Sequence, residues 1–364
     1  MKNKIAIASA FLAASSFSTA EIVVNDFLSF EGFVDSSYTH TDVDDDAVAR
    51  FEGSDNNFAV DQVEISWLFD FDPVTAQIDT QYTGIGDGQD GDDAELDQAF
   101  VTYHLDIGGA ITAGRYDSML GFEAFESPGL YQFSTAYTFA GLGDEDDLGF
   151  LPATNQGLKY TYSDDTTFFG ISLQDAAFNS EVDSTNRLGG SGGSSWAIEA
   201  AGSMIVAEGL TFFLGGVYES GDDNDSVSGV EFDDSYAVNA YATFETGAWI
   251  FAGEVNYGES DGASQFALGD FGGIDEEVFE ALIMANMTYS DQASVTGRIS
   301  YADHEADDGF GNDVEADFIK YTLAHNFAFT DNLLLVAEVS YADGEFLDED
   351  VESIQGALEL IFTF

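Results

Sequence analysis

Apolar residues return at every second position from Glu21 to the end of the chain, in about sixteen segments of roughly ten residues, the length of a strand tilted across a bilayer. The alternation is cleanest over 248–257, where Trp249, Phe251, Gly253, Val255 and Tyr257 share one face. Ile250, Ala252, Glu254 and Asn256 fall on the other, because successive strand side chains point to opposite sides. The same period runs through 63–69, 293–301 and 333–341. One face suits lipid and the other water. A soluble sandwich also alternates, so the connections between segments discriminate better.

Those connections sort into two kinds. Short ones occur at 71–73, 106–108, 163–165, 207–209, 246–247, 290–291 and 330–331. Between them lie long acidic stretches near 41–60, 84–95, 116–156, 175–194, 220–234, 259–276, 302–315 and 343–352. Short turns on one side and long loops on the other predict a transmembrane antiparallel β-barrel of about sixteen strands. A sandwich has no reason to sort its loops this way. Trp67, Phe69, Tyr103, Trp249, Tyr289, Phe327 and Phe329 sit near the short turns. Tyr38, Tyr82, Trp196, Tyr257, Tyr301 and Tyr341 sit near the loops, so two aromatic girdles are expected.

Both ends of the chain add to this picture. Lys2 and Lys4 precede an apolar run from Ile5 to Ala14 and a small-residue stretch ending Ser18-Thr19-Ala20. Residues 1–20 therefore read as a signal peptide cleaved before Glu21, and 21–364 as one barrel domain. No run of about eighteen apolar residues follows that could form a spanning helix. The chain closes on Leu358-Glu359-Leu360-Ile361-Phe362-Thr363-Phe364, an alternating strand ending in an aromatic.

Composition narrows the chemistry. The chain has 69 acidic against 8 basic residues, a formal net charge of -61, and 0 Cys. Such a charge repels nucleic acid and attracts cations, and without cysteine there is neither disulfide nor thiolate metal site. The 33 Phe and 16 Tyr argue against acidic disorder. The acidic runs at 42–46, 87–95, 144–147 and 222–225 lack the glycine and glutamate spacing of a calcium loop, so no metal site is expected there. Only His40, His104, His304 and His325 are present, with no zinc-protease motif, nucleophile elbow or phosphate loop. An enzyme is not expected, nor is a cofactor.

The longest connection differs from the rest. Residues 114–134, from Gly114-Arg115-Tyr116 through Leu120-Gly121-Phe122-Glu123 to Ser127-Pro128-Gly129, are apolar and aromatic, which suits a segment folded into the barrel. Together with Tyr137-Thr138-Phe139, these residues resemble the OmpL-like group of β-barrel porins. The barrel pattern and terminal Phe364 are also similar to general Gram-negative porins. The resemblance implies an outer-membrane location among lipid and lipopolysaccharide, and passive diffusion of small solutes. It also implies recognition of Phe364 by the barrel-assembly machinery and allows a homotrimer. General porins line their constriction with an arginine cluster that this chain largely lacks, which points away from anion selectivity.

Arg115, Asp117, Glu123 and Glu126 are the expected constriction residues. The strand registers send Glu31, Asp35, Glu64, Asp79, Glu199, Glu254, Glu280, Glu338 and Glu359 to the lumen, with Lys159, Arg298 and Lys320 as the bases among them. Carboxylates lining a narrow bore concentrate cations, so cation preference is expected. The same acids could instead be paired with those three bases. Two further readings stay open: a plugged acidic surface barrel acting in adhesion or lipopolysaccharide bridging, and a secreted acidic β-sandwich.

Overall fold

A computed structural model describes residues 21–364 apart from 46–52, 86–93, 107, 141–148, 179–195, 222–225, 228–229, 265, 267, 269–273, 308–312 and 347–348. The expected leader at 1–20 lies outside the described residues, as do Arg50, Arg187 and the acidic runs at 87–93, 144–147 and 222–225.

The strands are β1 Ile22–Asn25, β2 Leu28–Asp45, β3 Gly53–Asp70, β4 Val74–Ile85, β5 Ala94–His104, β6 Gly109–Asp117, β7 Thr154–Ser163, β8 Thr167–Gln174 and β9 Trp196–Ala207. They continue as β10 Leu210–Ser220, β11 Ser226–Val227, β12 Val230–Thr246, β13 Trp249–Ala263, β14 Ile274–Ser290, β15 Ala293–Asp307, β16 Asp313–Thr330, β17 Leu333–Phe346 and β18 Glu349–Thr363. Every pairing is antiparallel between chain neighbours, except that β10 pairs directly with β12 and β18 returns to β2. The short β1 and β11 pair only with β2 and β12, so the closed wall has sixteen strands. Closure leaves no unpaired edge, which a sheet in hydrocarbon requires. At the seam Thr363 lies opposite Phe33, and Phe364 exchanges both backbone hydrogen bonds with Gly32, at 2.8 and 2.9 Å. The Phe364 ring packs near Phe30 and Phe362.

The short turns fall at the expected positions, and their chemistry explains them. Gly209 holds φ +72 in the two-residue turn joining β9 and β10, where a Cβ would collide with the Glu245 carbonyl. In the β7–β8 turn Asp164 accepts the Thr166 and Thr167 N–H groups, both at 2.9 Å, which holds its carboxyl below the usual range. On the other side the hairpins run further than ten residues, with β2, β3 and β16 each reaching 18. Backbone pairing continues past the bilayer because each added rung satisfies two polar groups in water as well as in lipid.

Outward faces match the alternation. In β14 the inward positions from Glu276 to Asn286 are buried, while Phe279 and Ile283 are exposed to the surroundings. Trp249 and Tyr257, eight residues apart on β13, stand about 27 Å apart along the strand, or about 20 Å of height once it is tilted. Ile283 is 62% exposed, midway along the lipid-facing side of β14. Ile283→Arg is expected to lower stability by about 2–4 kcal/mol in lipid vesicles, measured by urea unfolding. Equal stability of variant and parent would mean that this face does not meet hydrocarbon.

Candidate functional site

The segment between β6 and β7 folds into the barrel. Its base is closed by a 2.7 Å hydrogen bond from Ser118 N to the Ala153 carbonyl. Arg115 holds the same base from below: Nε donates to the Asp97 carbonyl at 2.7 Å and Nη2 to Thr154 Oγ1 at 2.7 Å. It thus ties β5, β6 and β7 together. Lys159 donates to the Asp117 carbonyl at 3.1 Å and sits 4.2 Å from the centre of the Tyr116 ring.

Beyond the base, the loop bonds to the wall through its own backbone. Its N–H groups need acceptors once water is excluded, and the wall supplies carboxylates. Glu199 on β9 accepts from Met119 N and Ser118 Oγ. Asn239 on β12 accepts from Gly121 N at 3.1 Å, and Glu254 on β13 accepts from Phe122 N at 2.7 Å and the Tyr137 hydroxyl at 3.2 Å. Glu338 on β17 accepts from Phe133 N, Ser134 N and Ser134 Oγ at 2.8, 3.2 and 2.6 Å. Gly121 holds φ +97, a backbone state that favours glycine.

The wall's bases take the loop's carbonyls. Lys320 on β16 donates to the Thr135 and Thr138 carbonyls at 3.0 and 2.8 Å. Arg298 on β15 donates to the Thr135 carbonyl at 2.8 Å and pairs with Glu123 at 2.5 Å. Glu123 in turn accepts from Ala136 N at 2.7 Å. All four described Lys and Arg side chains, Arg115, Lys159, Arg298 and Lys320, therefore serve the loop or its base.

Apolar packing completes the attachment. Phe122 meets Tyr241 edge-on at 5.7 Å, Tyr241 stacks on Phe213 at 4.4 Å, and Phe139 meets Phe318 at 5.4 Å. Gly170 and Gly215 leave sockets in the wall that Met119 and Leu120 fill, so a Cβ at either would strike the loop. The lumen-facing side of this arc is thus apolar at Phe168, Ala201, Phe213, Val217, Ala237 and Tyr241. The simple division of lipid face from watery face fails there, because the loop covers those residues.

The opposite arc remains polar. Gln62 bonds Gln81 at 2.9 Å, Gln77 bonds Asp79 at 2.8 Å, and the Thr102 and Thr112 hydroxyls meet at 2.9 Å. The tip of the loop points toward this arc, with Ser127 Oγ donating to Asp35 on β2 at 2.6 Å. Carboxylate oxygens of Glu64 on β3, Asp97 on β5 and Glu126 on the loop gather within 4.8 Å of one another. Burial, with Asp97 and Asp79 nearby, pushes the Glu126 carboxyl up to about 7.

Asp97 reaches this group through a bulge. Ile78 lies opposite Ala99 but Thr80 opposite Leu96, so Asp97 and Gln98 share the space facing Asp79. Such a slip is invisible in the alternation, and Asp97 is absent from the expected site residues for that reason. Asn239 and Asn256, which bond one another at 2.6 Å, are also additions, as is Glu276 beside His304 at 2.8 Å. Among the expected residues, Glu280 accepts from Asn256 at 3.0 Å. Glu31 and Glu359 lie on the inward side of β2 and β18. Asp117 accepts Lys159 through its carbonyl, and its N–H donates to Gln98. The remaining histidines bond Asn56, Thr75 and Tyr289.

Solved porin structures share this architecture. An anion-selective porin from Comamonas acidovorans superposes with TM-score 0.63 at 13% identity, over 92% of this chain and 99% of that one. OmpT of Vibrio cholerae gives 0.60 at 14% identity, over 94% and 100%. OmpF of Salmonella typhi, solved with daunomycin, gives 0.61 at 16% identity, over 94% and 100%. No curated protein sequence matches the chain. Residues 28–364 match the profile of the family described as "Putative beta-barrel porin-2, OmpL-like". With the closed barrel and its inward loop, the chain belongs to this OmpL-like β-barrel porin family, whose members are channels for small solutes in the Gram-negative outer membrane.

Proposed function

We propose that this porin passes small hydrophilic solutes by passive diffusion and prefers cations. The carrying observation is the division of charge inside the barrel. The four described bases are engaged with the loop or its base, whereas Glu64, Asp79, Asp97 and Glu126 gather between the loop tip and the polar arc. An ion path between those two surfaces would be lined by carboxylates, which lower the barrier for cations and raise it for anions. Cleavage after Ala20, folding through Phe364 on the assembly machinery, lipopolysaccharide around the girdles and a homotrimer belong to the same reading.

The test is conduction. Refolded mature chain in a planar bilayer should give stable open steps and a cation-selective reversal potential under a KCl gradient. Selectivity should strengthen as salt falls from about 1 M to about 0.1 M, because the screening length grows from about 3 to about 10 Å. Anion-selective steps would sink the acidic passage. The packing of Phe122, Tyr137 and Phe139 inside the wall is what favours the second reading, a plugged surface barrel acting in adhesion or lipopolysaccharide bridging. Silence from folded protein in the bilayer would select it.

A further inference from the structure

We propose that Glu64, Asp97 and Glu126 bind a divalent cation of calcium size, which ties the loop tip to the wall and restricts the passage of other ions. The inference rests on the channel reading for its consequence but not for the site itself.

Three observations carry it. The carboxylates come from three separate segments, β3, the β5 bulge and the inward loop, and one oxygen of each lies within 4.8 Å of the others. Two oxygens bound at about 2.4 Å to one calcium stand no more than about 4.8 Å apart, whereas magnesium at about 2.1 Å would demand closer approach and stricter geometry. The donor set is all carboxylate oxygen, which suits a hard cation over zinc or copper.

Glu64 is only 6% exposed, and its Oε2 has no hydrogen-bond partner among the described residues, while Oε1 takes Ser66 at 3.1 Å. A buried carboxylate oxygen without a donor is costly, and a cation would satisfy it. Asp79, fully buried beside this group, likewise leaves Oδ1 without a partner among the described residues. No ion pair among the described residues reaches the three acids; Arg115 spends its bonds on the Asp97 carbonyl and on Thr154.

Three protein ligands leave the rest of the shell to water, so affinity should be that of weak extracellular sites, with Kd on the order of 10⁻⁴–10⁻³ M. The ion would bind Glu126, next to Ser127 with its bond to Asp35, and hold the loop from the side of the barrel opposite its anchor on β13.

The test uses CaCl2 at constant ionic strength on refolded mature chain, with two readouts: thermal unfolding in detergent and single-channel current. The parent should gain thermal stability and lose current with rising CaCl2. Glu64→Gln/Asp97→Asn/Glu126→Gln, and the milder Asp97→Asn alone, should need roughly tenfold or more CaCl2 for the same change. MgCl2 should be weaker than CaCl2 on the parent. Equal responses of parent and variants would overturn the site, since the many surface acids would then account for the effect. Cation-selective current without variant-dependent calcium effects would overturn the site and leave the channel. A variant-dependent thermal shift in a silent barrel would support the site and remove the channel.

Discussion

Replacing Arg298 with methionine is expected to lower the free energy of unfolding in lipid vesicles by about 3–5 kcal/mol. The Arg298 side chain is 0% exposed and its Glu123 partner 13%, so removing the cation strands a carboxylate in a poorly hydrated place. The Thr135 carbonyl loses a donor in the same step. Gln132 Nε2 and Ala136 N still reach Glu123, but neither carries a charge to match it. Neutralising the partner should therefore recover much of the loss: Arg298→Met/Glu123→Gln is expected to be more stable than Arg298→Met alone, with a coupling of about 0.5–3 kcal/mol. Urea unfolding followed by tryptophan emission reads both. Lysine should rescue poorly, because the guanidinium serves Glu123 and Thr135 from one planar group. Conductance should rise as residues 131–138 loosen. A cost below about 1 kcal/mol with unchanged conductance would mean that the loop is held without this pair.

The barrel was legible because its evidence is periodic and local. Trp249, Phe251 and Val255 face lipid for the same reason that they occupy alternate positions, and Gly209 marks a turn because that turn needs φ +72. Even the closing strand could be placed, since Phe364 ends an alternation that must meet β2 for the wall to shut. The ends of strands were less legible. Nothing in residues 41–45 or 53–60 separates a hairpin standing in water from a loop, yet β2 and β3 stay paired out to Val43 and Gly53.

Inside the barrel, sequence located charges but not their partners. Glu199, Glu254 and Glu338 read as inward-facing, and they lie on the inward side of the wall, yet what they bind is the backbone of a distant loop. Main-chain N–H groups leave no mark on residue identity, so such pairings cannot be read from a single chain. The apolar arc was hidden by the same loop: Phe212, Phe213 and Leu214 are apolar on both faces, which blurs a period of two. Bulges at 35–37 and at 78–80 opposite 96–99 shift the register by one residue, and Asp97 owes its inward placement to the second.

That bulge makes Asp97 the position where one substitution should change ion preference most. Asp97→Lys is expected to move the reversal potential under a KCl gradient strongly toward zero, or past it, while leaving the barrel folded. Asp97 is partly exposed and faces Glu64, Asp79 and Glu126, so a lysine there joins three carboxylates, which outnumber the one neighbouring cation, Arg115. A unit charge about 6 Å from the ion path, at an effective dielectric near 20, is worth about 3 kcal/mol, and reversing its sign doubles the change. Each 1.4 kcal/mol is about tenfold in local ion concentration, so even a heavily screened remainder is measurable. Asp291→Lys makes the same charge change on an exposed turn between β14 and β15 and should move the reversal potential little. If the two variants shift it equally, net charge and not the carboxylates beside the loop tip would set selectivity. A large shift from Asp97→Lys alone would locate the ion path between Glu126 and the β3–β5 wall, the polar arc that the loop meets at its tip.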